Sequence, residues 1–263
     1  MRPVAALRAF TFVLLVPAAG ATTSAVAAEA AVRARPAIRL EMLAERVAKL
    51  NAQVGQGVLA TRSHRALEEA VRDFDATLNS VSASVPGAEA RDTYNLLTLL
   101  WVEYRAWALK PTNRDTAWKI RERCEEVAYI AAKGSRQIQE NARATSNASA
   151  VRAESAAVLS QRVAKIHLWM RWDMRDEPLA RDLRESTENL RRILATLREA
   201  AADRPEIAEV LANAEGQMRF LDDAASDLAQ RKSEARAIEF IAKASDHILE
   251  SMERVAALYE GAP

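Results

Sequence analysis

Met-Leu-Ala-Glu-Arg-Val-Ala-Lys-Leu, residues 42–50, returns as Val-Leu-Ser-Gln-Arg-Val-Ala-Lys-Ile at residues 158–166. The likeness runs outward from these two phrases. A gapless offset of 116 positions sets Leu43 against Leu159, Arg46 against Arg162, Lys49 against Lys165, Leu67 against Leu183, Phe74 against Leu190 and Leu78 against Leu194. A period this long signals a duplicated small domain and not a solenoid of short repeats.

Apolar residues recur in each copy at alternating spacings of three and four, and 7 glycines and 8 prolines punctuate 263 residues, so the chain reads as all-helical. Four seams emerge in the first copy: Leu43, Val47, Leu50, Val54; Leu67, Val71, Phe74, Leu78, Val81; Tyr94, Leu97, Trp101, Tyr104, Ala108; and Ile120, Cys124, Val127, Ala131, Gly134, Ile138. The second copy supplies Leu159, Val163, Ile166, Met170; Leu183, Thr187, Leu190, Leu194, Leu197; Leu211, Ala214, Met218, Leu221, Ala225, Leu228; and Ile241, Ser245, Ile248, Met252, Val255, Tyr259. Pro86-Gly87, Pro111, Pro178 and Pro205 fall between seams. Narrow seams, short connections and helices of about 20 residues predict two tandem up-down-up-down four-helix bundles, over 36–140 and 153–260.

The intervening residues, 141–152, belong to a segment (139–155) with no glycine, proline or sustained seam. One continuous helix would stack the bundles end to end, whereas a bend near Thr145 to Ser149, where Ser, Thr and Asn can cap a helix, would lay them side by side. The lack of a strict breaker favours the continuous helix. Asn147-Ala148-Ser149 also fits a glycosylation acceptor.

Arg2 and Arg8, an apolar run from Ala9 to Ala21 and a small-residue stretch ending near Ala27 follow the plan of a secretory signal peptide over 1–27. The run falls short of the roughly 20 residues that span a bilayer. A soluble protein outside the cytoplasm, periplasmic or secreted, is the expectation. Near-balance between 37 basic and 36 acidic side chains argues against nucleic acid as a partner. A lone Cys124 cannot form an internal disulfide, and its seam position points to a buried, inert thiol.

Arg46 and Lys49 flank the first seam together, and Arg162 and Lys165 repeat the arrangement. A guanidinium beside an ammonium could hold a small planar anion. Alternatively, the aliphatic stems cover the core while the charged heads reach water or pair with acids.

At this phrase the chain resembles the N-terminal sensor domain of type IV pilus methyl-accepting chemotaxis transducers (PilJ-type), related to the periplasmic domain of nitrate/nitrite sensor kinases (NarX-type). Leu159-Ser160-Gln161-Arg162-Val163-Ala164-Lys165 and Met42-Leu43-Ala44-Glu45-Arg46-Val47-Ala48-Lys49 carry the resemblance. It implies the sensor-bundle fold and a chemotactic ligand-binding role. In nitrate-binding relatives the anion is held by an arginine five residues before the retained one. Here those positions are Glu41 and Ala157, neither of which can hold nitrate. The chain ends without the membrane and signalling segments of full transducers, so a sensor lacking its own output domain is expected.

His167, Met170 and Met174 share one helical face, a candidate soft-metal or haem set, although core packing explains Met170 as well. Tyr94, Trp101 and Tyr104 read as core. Trp107, Trp169 and Trp172 lie off their seams and would suit a partner surface or a pocket between bundles. No nucleophile elbow, phosphate loop or zinc-protease helix occurs, so no catalytic residue and no cofactor is assigned. The functional expectation is therefore an exported, non-enzymatic sensory module for a small anion. Its rivals are a cell-envelope scaffold that associates with envelope proteins or with a second copy of itself, and a haem or copper carrier.

Overall fold

The computed structural model describes residues 20–85, 87–141 and 147–261, with side chains from residue 35 onward, Asn141 excepted. Eight helices follow one another: α1 (Gly20–Gly55), α2 (Ala60–Ser82), α3 (Ala88–Ala108), α4 (Arg114–Asn141), α5 (Ala148–Arg171), α6 (Glu177–Ala200), α7 (Pro205–Ala229) and α8 (Glu234–Tyr259). No strand occurs among the described residues. Of the expected leader, residues 1–19 lie outside the described ones, and residues 20–27 belong to α1.

Local chemistry sets several of these boundaries. Asp176 caps α6 by accepting from the Leu179 amide, with Pro178 in the first turn, and Pro205 opens α7. The seams then turn inward as spaced. Every seam residue of α2, α3 and α4 is buried, with Phe74 stacked on Trp101 at 3.8 Å between ring centres. Trp101 Nε1 donates to Asp75 and Tyr104 Oη to the Ala44 carbonyl, so both aromatics keep their polar atoms satisfied inside the core. At the seam glycine of α4, a side chain would lie 2.9 Å from the Tyr94 ring, which explains Gly134.

The junction between the copies departs from expectation. A continuous helix is ruled out because Asn147 adopts an extended conformation (φ −67°, ψ 112°) and its side chain accepts from the Ser149 and Ala150 amides, starting α5 afresh. Asn147 Nδ2 also donates to the Tyr259 carbonyl at the end of α8. Both ends of this side chain thus have structural work.

Consequently the two four-helix sets lie side by side. α1 packs along α5 as extensively as along α2 and α4, and the pair runs parallel: Arg35 bonds Glu154 near one end, and Gln56 bonds the Leu168 carbonyl and Arg171 near the other. α4 and α8 flank this central pair from opposite sides, each antiparallel to its neighbours. Small residues off the predicted seams, Ala44, Ala48 and Ala52 on α1 and Ala153, Ala156, Ala157 and Ala164 on α5, are fully buried. The apolar side chains of both copies consequently form one contiguous core. No helix of the described residues is long and apolar enough to cross a membrane.

Candidate functional site

The central α1/α5 pair brings the four basic residues of the repeated phrase into one layer, and each copy reaches into the other. Lys49 of α1, wholly buried, donates to Asp246 (2.6 Å) and Ser245 (3.2 Å) of α8, and Arg46 meets the same carboxylate at 3.3 Å. Lys165 of α5 pairs with Glu45 of α1 at 2.5 Å, lies 3.7 Å from Cys124 Sγ of α4 and sits 4.4 Å from the centre of the Trp169 ring. Arg162 grips Asp182 of α6 through two nitrogens and approaches Glu45 at 3.6 Å. Burial alone would raise the Asp246 pKa, but the Lys49 and Arg46 cations outweigh it and hold the carboxylate below its ordinary range. Burial pushes the Cys124 thiol up to about 12, so it stays protonated and inert.

All four cations of the proposed anion site therefore already carry carboxylates. What the layer does chemically is lock the copies together, because unpairing either buried lysine would strand a charge in the core. Trp169, expected near the surface, is fully buried beneath Lys165, since α5 is covered on both flanks. Trp172 and Trp107 are half-buried.

Beside the layer opens a cavity of about 570 Å³ between α1, α4, α5 and α6. Glu41, Glu45, Arg162 and Lys165 line it, together with Arg136 and Arg181. Glu41 has no hydrogen-bond or ion-pair partner within bonding distance. Burial first, and the Glu45 charge second, push its carboxyl up to about 7, with Arg162 and Arg136 pulling the other way. Arg136 and Arg181 are exposed and lack carboxylate partners among the described residues. The equivalent place in the other copy, between α1, α2 and α8, is only about 160 Å³. There Glu253, the counterpart of Ala132, occupies the space and binds Arg39 at 2.6 Å. Ala157, the counterpart of Glu41, is wholly buried and apolar.

A third cavity, about 350 Å³, opens where α5, α6, α7 and α8 converge near the end of the second copy. His167 and Met170 line it, whereas Met174 is fully buried and is not among its lining residues. Met174 thus does not share this cavity with the other two residues of the candidate soft-metal set, and no group of three or more His, Cys, Asp or Glu that could hold a metal ion occurs among the described residues.

Glu41 was visible in the sequence only as the wrong residue for nitrate. The free Arg136 and Arg181 gave no signal, because their membership in one cavity depends on contacts between separate helices. Comparison with protein-family models, curated proteins and solved structures finds no match for this chain.

Proposed function

We propose that the protein is a non-catalytic ligand-binding module acting outside the cytoplasm, a sensory role of the kind the PilJ-type resemblance implies. Its binding site on this reading is the 570 Å³ cavity between the two copies. One observation carries this: Glu41 sits half-buried and without a protein partner in a cavity that the symmetry-related position closes. Perturbed carboxylates of this kind concentrate at functional sites. Packing alone would favour an alanine, as at Ala157.

The ligand chemistry shifts accordingly. A small anion at Arg46, Lys49, Arg162 or Lys165 would have to displace a carboxylate from each. A ligand carrying a donor for Glu41 and an acidic group for Arg136 and Arg181, such as an amino acid, finds complementary partners already free. A thermal-shift screen of amino acids, nitrate and nitrite tests this, since a ligand at a hundred times its Kd stabilises the folded state by about 2.7 kcal/mol. A shift with an amino acid that disappears in Glu41→Gln supports the reading. A shift with nitrate alone, unaffected by Glu41→Gln, or no shift at all, contradicts it.

A second reading, the envelope scaffold, draws on α3. Its outer face exposes Leu96, Leu99 (72 %) and Val102 (65 %), spaced three apart. Apolar residues clustered on one helix face suit association with another protein or a second copy. Light scattering of the wild type and Leu99→Glu separates the two: a dimer abolished by the substitution favours the scaffold.

A further inference from the structure

The cavity at the end of the second copy presents a different chemistry. Four seam residues predicted to be core, Met170, Leu183, Ala225 and Leu228, are only half-buried, and all four line it. Above them stand Arg171, Arg175 and Arg231, three cations against the single lining carboxylate of Glu234. None of these guanidiniums has a carboxylate partner within ion-pair distance: Arg171 donates to Gln56 Oε1 and Arg175 to the Met170 carbonyl. Beneath the rim lies His167, 9 % exposed and with no hydrogen-bond partner for its imidazole. Burial lowers its pKa to about 4, so the ring is neutral at ordinary pH. α8 begins at the same mouth, and its N-cap, Ser233, makes no side-chain cap.

The first copy provides an internal comparison. Asn51, the counterpart of His167, donates to the Ala108 carbonyl at 2.9 Å and to Thr112 Oγ1, spanning the space between α1 and the α3–α4 loop. At Gly55, the counterpart of Arg171, the Trp172 ring fills the place of a side chain, so close that a Cβ would lie 2.7 Å from it. One copy closes this end with two bonds donated by the Asn51 amide nitrogen and with an indole. The other leaves an apolar slot, an imidazole that meets no protein group and three guanidiniums without an ion-paired carboxylate.

We propose that this slot binds an aromatic carboxylate bearing a hydroxyl at the end opposite its acid group. The carboxylate sits among Arg171, Arg175 and Arg231, where charge-assisted and forked hydrogen bonds favour it. The ring rests on Met170, Leu183 and Leu228. The hydroxyl bonds His167, which precedes Arg171 by four residues, about 6 Å along the axis of α5, so the two line the slot at different depths. This site is separate from the cavity at Glu41 and stands or falls without it.

Calorimetric titration of the full chain with 4-hydroxyphenylacetate, phenylacetate and the neutral 2-(4-hydroxyphenyl)ethanol tests the assignment. The hydroxy acid is expected to bind most tightly, the neutral alcohol about tenfold or more weakly for want of a charge-assisted bond, and phenylacetate in between. Arg231→Gln, in an exposed loop and without effect on the fold by circular dichroism, is expected to weaken both acids about tenfold and leave the alcohol unchanged. His167→Asn is expected to erase the preference for the hydroxyl, and Ala225→Trp to abolish binding by filling the slot. Glu41→Gln is expected to change none of these affinities. No saturable binding by any of the three probes at millimolar concentration, equal binding of acid and alcohol, or binding retained in both Arg231→Gln and Ala225→Trp would each overturn the proposal.

Discussion

Glu45→Gln tests the charge layer that joins the copies. Glu45 is 1 % and Lys165 2 % exposed, and they meet at 2.5 Å. At an effective dielectric constant of 20, two unit charges at that distance attract by roughly 7 kcal/mol. Desolvation takes back several kcal/mol per ion, so the intact pair contributes little net stability. Removing one partner is another matter. The Lys165 ammonium keeps its desolvation cost and loses its counter-charge, leaving it against the Cys124 thiol and the Trp169 ring. Arg162 is less affected because Asp182 still holds it. The expected loss is about 3–5 kcal/mol, read as a fall in the urea midpoint at unchanged m value. Gln161, the natural counterpart of Glu45, shows that glutamine fits this layer sterically, so the loss would be electrostatic. Lys165→Met in the same background should recover most of it, giving a coupling energy of several kcal/mol in a double-mutant cycle. A loss below about 1 kcal/mol for Glu45→Gln, or additivity in the cycle, would refute the reasoning.

Two titrations follow with opposite signs. His167 is held near pKa 4 when folded against about 6.5 unfolded, so the unfolded chain takes up the extra proton and stability falls as pH drops from 6.5 to 4, by up to about 3 kcal/mol; His167→Asn should flatten that slope in urea melts. Glu41 is pushed up to about 7 from 4.5, so its contribution is lost as pH rises from 4.5 to 7; Glu41→Gln should be more stable than wild type at pH 8 by about 1–3 kcal/mol and equal to it below pH 4.5. The two slopes oppose each other in the wild type, so the flattening by His167→Asn is read in the Glu41→Gln background, where the His167 slope stands alone. Asn147→Ala removes the α5 cap and the tie to Tyr259, and should cost about 1 kcal/mol in the same melts.

The seams were readable because packing against a helix's own bundle follows heptad spacing, and on α2, α3 and α4 that spacing alone identifies the buried face. On α1 and α5 it identified only part of it. Their alanine-rich flanks offer no contrast in a hydropathy pattern, yet those flanks are as buried as the seams because a second bundle covers them. The same blindness affected the site. Arg46, Lys49, Arg162 and Lys165 were correctly singled out as a recurring group, but Asp246 lies about 200 residues from Arg46, and periodicity says nothing about which distant acid arrives. Trp169 was misplaced for the same reason. The clue to the second cavity was present in the alignment of the copies, where His167 faces Asn51 and Arg171 faces Gly55. Only the structure shows that the Asn51 amide nitrogen bridges to the Ala108 carbonyl and Thr112 whereas the His167 imidazole meets no protein group.

Side-by-side packing of the copies, with α1 and α5 parallel, underlies the Glu41 cavity and the charge layer. Spin labels at Arg62 and Glu177, both exposed and both placed at the end where α1 and α5 finish, measure it directly by double electron–electron resonance once the buried Cys124 is replaced by serine. Helices in contact lie 8–10 Å apart, so labels a few helices from one another should report roughly 20–40 Å. Copies stacked end to end through α4 and α5, 28 and 24 residues long at 1.5 Å per residue, would set them roughly 80 Å apart, and that distance would contradict the shared core.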